Sequence, residues 1–246
     1  MASTSDPSLA LLFQDVFGSE EQQEEETGLI DWEWLGDNFV EDVVPAFLQH
    51  IVLCAVSVGI ALAIALPLGI LAARNATLYR VLTAIAGFLY TIPSFSFFAI
   101  MIFVLGFSIG VTPAIIALVA YSLLILIRNV VTGLHSVPPE TVDAARGMGL
   151  TERQILFRVQ LPLALPVIVA GIRIAVVTVI GIAVIGAYIG AGGLGNLIFD
   201  GIDRAFPTLY ITGAVLSTLL AVGADLLFVR TQRLLSPWAR RTRGAA

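Results

Sequence analysis

Four stretches without a charged side chain set the terms for this chain: residues 43–73, 81–127, 174–199 and 205–224. An α-helix rises about 1.5 Å per residue, so roughly 20 apolar residues cross the hydrocarbon core of a bilayer. In hydrocarbon each backbone N–H and C=O must be satisfied within the protein, which makes such stretches helical. The second stretch is too long for one helix and long enough for two, with Gly106, Gly110, Thr112 and Pro113 marking the turn between them. The expectation is an all-α polytopic membrane protein with five spans, near 48–73, 81–105, 112–134, 161–188 and 207–229. Pro93, in "YTIPSF", removes a backbone donor and bends helices, so a sixth span follows if that segment breaks in two. Composition agrees: 58% of residues are hydrophobic and 13% charged, against about a quarter charged in soluble domains.

The charges that remain are sorted along the chain. Residues 1–42 hold twelve acids and no base, whereas residues 43–246 hold six acids and all thirteen arginines. With five spans and an acidic N-terminus outside, Arg74 and Arg80 fall in the first inner loop, and Arg146, Arg153 and Arg158 in the second. Arg230, Arg233, Arg240, Arg241 and Arg243 then fall in an inner C-terminal tail. Only Arg204 stays outside, so the positive-inside rule gives N-out, C-in. No basic n-region with a short apolar h-region opens the chain, and a cleaved signal peptide is not expected. Three regions result: an acidic extracytoplasmic tail over 1–30, a membrane domain over 31–230, and a basic tail over 231–246. Residues 31–46 space Trp32, Leu35, Phe39, Val43 and Phe47 at helical intervals, which reads as an interfacial helix with tryptophan at headgroup depth.

Between the third and fourth spans lies "SVPPETVDAARGMGLTERQILFRVQLP", with a segment over 136–160 placed inside. Ser136, Pro138 and Pro139 open a short helix, Glu140 and Asp143 suit its positive end, and Gly147 and Gly149 close it. Thr151 with Gln154 three residues on is a capping box for a second helix, and Pro162 marks the start of the next span. Ala144 and Ala145 offer a face that another surface can approach closely. Met148, Leu150, Ile155, Leu156 and Phe157 offer apolar contacts beside Arg146, Arg153 and Arg158. Two readings stand on this chemistry: a docking surface for a protein, or a basic loop lying on lipid.

"DAARGMGLTERQILFRVQLP" resembles the EAA motif of permease subunits in bacterial ATP-binding cassette importers: Glu-Ala-Ala, three residues, Gly, nine residues, Ile-x-Leu-Pro. Asp143, Ala144, Ala145, Gly149, Val159, Leu161 and Pro162 fit that spacing, with Asp143 in place of Glu and Val159 in place of Ile. The resemblance implies a coupling helix seated in a groove of a separate ATPase subunit. Over roughly residues 45–230, "YTIPSFSF", "YSLLILIRNVVTGL", "LPLALPVIVAGIRIAVV" and "IGAGGLGNLIFDGI" are similar to permeases that import glycine betaine, carnitine, choline and related osmoprotectants. Methionine-type permeases also carry a "GGLG" after the same span. What the resemblance implies is a type I importer-like permease in the bacterial cell membrane. It would pair with a second permease, identical or related, with two ATPase subunits that use ATP and Mg, and with an extracytoplasmic substrate-binding protein. Lipid would surround it, and neither a nucleic-acid partner nor a cofactor bound by the chain itself is expected.

Inside the membrane, Arg128 and Asn129 close the third span and Arg173 falls about a turn and a half into the fourth. Asp225 can pair with Arg128, Arg173 or Arg230. Arginine near a helix end snorkels to the interface or serves gating and helix pairing. Tyr90, Thr91, Pro93 and Ser94 combine a kink with hydroxyls and are candidates for the pathway lining. Gly192, Gly193 and Gly195 sit where a scoop-like turn at the outer mouth is expected, the alternative being a plain surface turn. The ring cluster of Phe88, Tyr90, Phe95, Phe97, Phe98, Phe103 and Phe107 admits a cation–π reading and a packing one.

Cys54 is a lone cysteine, and with two histidines it leaves no His/Cys metal cluster of ordinary size. No Walker-type loop and no nucleophile beside a base is present, so a non-catalytic subunit is expected. The rival functions are an importer of methionine or another small polar solute, a secondary transporter and a membrane scaffold. A gradient-driven carrier calls for intramembrane acids and an internal repeat, and Asp225 is the sole candidate acid.

Overall fold

The computed structural model describes residues 28–235, so most of the acidic and basic tails lies outside the described residues. Those residues form helices α1 (Trp32–Arg74), α2 (Ala76–Thr91), α3 (Ser94–Val104), α4 (Val111–His135), α5 (Pro139–Gly147), α6 (Glu152–Ile189), α7 (Leu194–Asp203) and α8 (Pro207–Leu235). No strand occurs among the described residues. Helices α1, α4, α6 and α8 are each long and apolar enough to cross a membrane, and α2 with α3 forms a bent pair that makes a fifth span if counted as one.

Pro93 acts as its chemistry requires. Helix α2 ends at Thr91, α3 begins at Ser94, and their axes differ by 98°. A break at membrane depth frees backbone groups that lipid cannot satisfy. The Ile92 carbonyl is taken by the Tyr121 hydroxyl of α4, and the Pro93 carbonyl accepts from Phe97 N at 2.9 Å. Tyr121 sits near the middle of α4, so the break falls near the midplane of the bundle.

Helix α4 lies between α1 and α6 and is the most buried of the long helices. Lipid tails are as apolar as leucine, so such helices associate by close packing more than by apolar transfer. Gly171 of α6 shows how close: a Cβ built there would lie 2.3 Å from Asn129 Cβ of α4. The main core joins α1, α3, α4 and α6 through Leu53, Phe97, Phe98, Leu118, Val179 and Ala183. Helix α8 packs on α6 and α7, and little of it is fully buried.

Three sequence expectations are revised. Residues 31–46 do not form a separate interfacial helix: from Trp32 the chain runs unbroken into the first span, with one widened π-helical turn at Phe39–Val43. The stretch is held by protein, since Val43 is buried with Leu194, Leu197 and Leu209, Trp34 stacks edge-on against Phe206, and Asp31 N donates to Thr208 Oγ1 at 2.8 Å. Likewise the helix opened by Thr151 runs without a stop through Pro162, because a π-helical turn at Leu156–Gln160 precedes the proline and accommodates it. Arg173 lies twelve residues past Leu161, just over three turns along the helix and not a turn and a half.

Filling the Gly171 contact tests this packing. Gly171→Ala forces the backbones of α4 and α6 apart and is expected to cost about 1–3 kcal/mol. Gly181→Ala, with nothing within 4 Å of the added carbon, should be near neutral. Thermal unfolding of the detergent-purified chain checks the contrast, and equal midpoints for the two variants would refute it.

Candidate functional site

The polar segment between α4 and α6 folds as one built unit. Pro139 opens α5, where a missing N–H costs nothing, and Glu140 lies in the first turn. At the far end Leu150 N donates to the Ala145 carbonyl at 3.2 Å and Gly149 N to the Arg146 carbonyl at 3.0 Å. That pair of bonds is a Schellman closure, and Gly149 supplies the left-handed residue it needs, with φ +82°. Thr151 then caps α6: its hydroxyl accepts from Gln154 N at 3.4 Å while Gln154 Oε1 accepts from Thr151 N at 2.8 Å. The expected capping box is present.

Arg146 ties the two halves together, donating to Asp143 Oδ1 at 2.9 Å and to Glu152 Oε1 from two nitrogens at 3.1 and 2.9 Å. All three side chains are more than half exposed, so each pair contributes at most about 1 kcal/mol. Their effect is to order the turn between α5 and α6.

Of the motif residues, Ala145 is buried at 1% exposure and faces the bundle, whereas Asp143, Ala144, Gly149 and Pro162 are exposed. Val159 and Leu161 are half-buried, and Leu161 packs on the cluster of Val130, Leu134, Leu156, Ala164 and Ile168. Met148 at 73% and Phe157 at 56% are large apolar side chains left open on this surface, with Arg153 and Arg158 exposed beside them. A cavity of about 210 Å³ lies behind α5, bordered by Arg74, His135, Val142, Arg146, Glu152 and Gln160. His135 closes it toward α1 with a ring nitrogen 3.0 Å from the Ala73 carbonyl. The unit thus has an inner side fixed through Leu156 to the ends of α1 and α4, and an outer side with open apolar side chains among charges of both signs.

The residues suggested as pathway lining do not converge on one place. Tyr90, Thr91, Pro93 and Ser94 lie at the α2–α3 break, where Tyr90 stacks edge-on against Tyr121 and Thr91 bonds within its own helix to the Phe88 carbonyl at 2.7 Å. Phe97 meets the same tyrosine, and Phe95 meets Tyr188, so these rings pack on one another. Arg128 is exposed on α4, while Asn129 turns inward, donates to the Ile125 carbonyl at 2.8 Å and fills the gap at Gly171. Gly192, Gly193 and Gly195 are buried in the turn between α6 and α7.

Two residues of α1 to which the sequence pattern assigned no role meet this region: Gln49 bonds to the turn, and His50 packs under Gly193 and bonds to α6. Gln49 Oε1 accepts from Gly193 N at 3.0 Å, and Gln49 Nε2 reaches the Ala191 carbonyl at 3.5 Å. His50, fully buried, donates from Nε2 to the Ile180 carbonyl at 3.2 Å, and its Nδ1 has no partner. The signal was the "QH" dipeptide, two polar residues set within the first long charge-free run. Asp225, left open among three arginines, pairs with Arg173: Nη2 to Oδ2 is 2.8 Å, and Nε bonds to Oδ1. Among the described residues no group of His, Cys, Asp and Glu is placed to hold a metal ion.

Comparison with known proteins agrees with this architecture. The chain is 45% identical over 192 residues to the osmoprotectant import permease protein OsmW of Salmonella typhimurium, covering 77% of this chain and 89% of that one. It is 39% identical over 204 residues to the choline transport system permease protein OpuBD of Bacillus subtilis, covering 82% and 89%. Among solved structures, the inward-facing MetNI methionine ABC transporter superposes with a TM-score of 0.71 at 29% identity, covering 82% of this chain and 98% of that one. Residues 65–241 match the family model described as binding-protein-dependent transport system inner membrane component. The chain is therefore a multi-pass membrane protein of that family, the permease subunits of ATP-binding cassette importers.

Proposed function

We propose that this permease imports quaternary-amine osmoprotectants, the class of glycine betaine, carnitine and choline, with the 138–162 segment as the contact that couples transport to ATP hydrolysis. The supporting observation is the Schellman-closed α5 together with its exposed face. A left-handed glycine, an exposed alanine and an open methionine suit insertion into a protein groove, and the arginine bridge keeps that surface ordered before docking. The relatives named as osmoprotectant and choline permeases support the substrate class.

In this reading Asp143, Ala144, Gly149 and Pro162 present the coupling contact, while Ala145, which the sequence offered to the partner but which is buried against the bundle, seats the segment with Val159 and Leu161. Two ATPase subunits supply ATP and Mg chemistry, so this chain is a non-catalytic subunit. A second permease, identical or related, completes the pathway, and an extracytoplasmic binding protein delivers substrate. Tyr90, Thr91, Pro93, Ser94, Arg128, Asn129, Gly192, Gly193 and Gly195 then serve in two ways. Those at the α2–α3 break border the pathway at a bend whose hydroxyls face other protein groups. Those at Asn129 and in the glycine turn fix the helix packing that shapes it.

The membrane topology in this reading is N-out, C-in, with the arginine-rich end in the cytoplasm. A fluorescent protein fused after Ala246 should be bright and alkaline phosphatase at the same place inactive, the reverse pattern overturning the topology.

Uptake into vesicles reconstituted with the ATPase and binding-protein partners tests the function. Labelled glycine betaine should accumulate with ATP and not without it, and excess choline or carnitine should compete. Gly149→Asp places a β-carbon and a charge at a left-handed position and should cut uptake more than tenfold, with less ATPase co-purifying. ATP-driven methionine uptake without betaine uptake would move the chain to the rival substrate class, and full activity of Gly149→Asp would remove the coupling assignment.

A further inference from the structure

The cavity behind α5 is walled by four helices and has two kinds of lining. Ile70, Leu134 and Leu156 make its apolar side, as part of the cluster that ties the ends of α1 and α4 to α6. Arg74, His135, Arg146, Glu152 and Gln160 make its polar side. Four of these five are exposed, so the cavity opens to solution. At about 210 Å³ it far exceeds the roughly 30 Å³ that one water takes up in the liquid, and it falls short of the roughly 300 Å³ at which pockets for drug-sized molecules begin. It has room for an ion or a small headgroup and too little for a nucleotide.

The polar side is unevenly satisfied. Glu152 is answered by two nitrogens of Arg146, which also donates to Asp143. His135 commits Nε2 to the Ala73 carbonyl. Arg74, the last residue of α1, and Gln160 of α6 border the cavity with no side-chain hydrogen bond or ion pair among the described residues. A guanidinium brings five N–H donors and a carboxamide two. With Glu152 already paired, the capacity left over is that of a donor set for an anion. Its place narrows the anion further. Helices α1 and α4 end here, at Arg74 and His135, and the ends of membrane spans lie at the level of headgroup phosphates.

We propose that this cavity holds a phosphate group, with Arg74 and Gln160 as its donors. The phosphate of a phospholipid headgroup and free inorganic phosphate share the chemistry that would be recognised. Because Arg74 belongs to α1 and Gln160 to α6, the bound group bridges the end of the first span to the segment that carries α5. The site goes beyond the importer reading and does not depend on the transported substrate.

The test is equilibrium binding to the complete permease–ATPase complex, delipidated in detergent, with radiolabelled phosphatidylglycerol in one arm and radiolabelled inorganic phosphate in the other. Saturable binding at one site per permease chain is expected in at least one arm. Arg74→Gln should weaken it at least about tenfold and Gln160→Met several-fold. Arg80→Gln removes an exposed arginine of α2 that does not border the cavity, and should change binding less than about twofold. Saturation in the lipid arm, with or without the phosphate arm, supports a headgroup as the occupant, and saturation in the phosphate arm alone supports the free ion. Equal losses in Arg74→Gln and Arg80→Gln would reduce the effect to general charge attraction and overturn the site. So would the lack of saturable binding in both arms, or affinities unchanged in both cavity variants. If Arg74→Gln fails to assemble with the ATPase, Gln160→Met against Arg80→Gln carries the comparison. Failure of both cavity variants to assemble would assign the two side chains to folding and overturn the proposal.

Discussion

Asn129 of α4 fills the space that Gly171 leaves open in α6, and the two backbones come as close as that pair allows. Much else depends on this contact. In a bilayer the surroundings are as apolar as the core, so helices hold together where small residues admit close approach and where polar groups find partners. With α4 seated between α1 and α6, the inner ends of α1 and α4 hold the start of α6 through Leu156, and α5 packs on that start. At the opposite end the same helices set α1 against the glycine turn through Gln49 and His50.

Three interruptions in the helices are answered by side chains. The break at Pro93 exposes a carbonyl that Tyr121 takes up, the turn before α7 exposes a donor that Gln49 accepts, and the turn before α6 is closed by Thr151 and Gln154. This gives α6 its part in the account. From Glu152 to Ile189 it runs 38 residues, about 57 Å, from the polar segment past Arg173 to the glycine turn. Because Pro162 falls just after a π-helical turn and does not stop the helix, the polar segment and the span are one body. A displacement of the segment is then a displacement of the Arg173–Asp225 pair, with no loop in between to absorb it.

Much of this was legible in the sequence because the physics that governs it is local. Span lengths follow from the charge-free stretches, the break at Pro93 from a missing donor, and the cap at Thr151 from spacing alone. The coupling segment was legible by resemblance as well as by its capping residues. What the sequence left open depends on contacts between distant residues. Nothing near Asp225 distinguishes Arg173 from Arg128 or Arg230; helix packing does. The Gln49 and His50 grip on the glycine turn pairs residues more than 120 apart. Residues 31–46 carry the amphipathic spacing of an interfacial helix, and only the folded chain shows Val43 buried against Leu194 and Leu209 while Trp32 and Phe39 stay exposed.

The central claim is that the surface around α5 seats an ATPase subunit, and proximity tests it most directly. A photo-cross-linking amino acid in place of Met148, which is exposed beside Gly149, should yield a covalent adduct with the ATPase subunit in membranes holding the assembled transporter. The same probe in place of Ile202, exposed on α7 at the opposite end, should yield none with that subunit. An ATPase adduct from position 202 and none from position 148 would contradict the account.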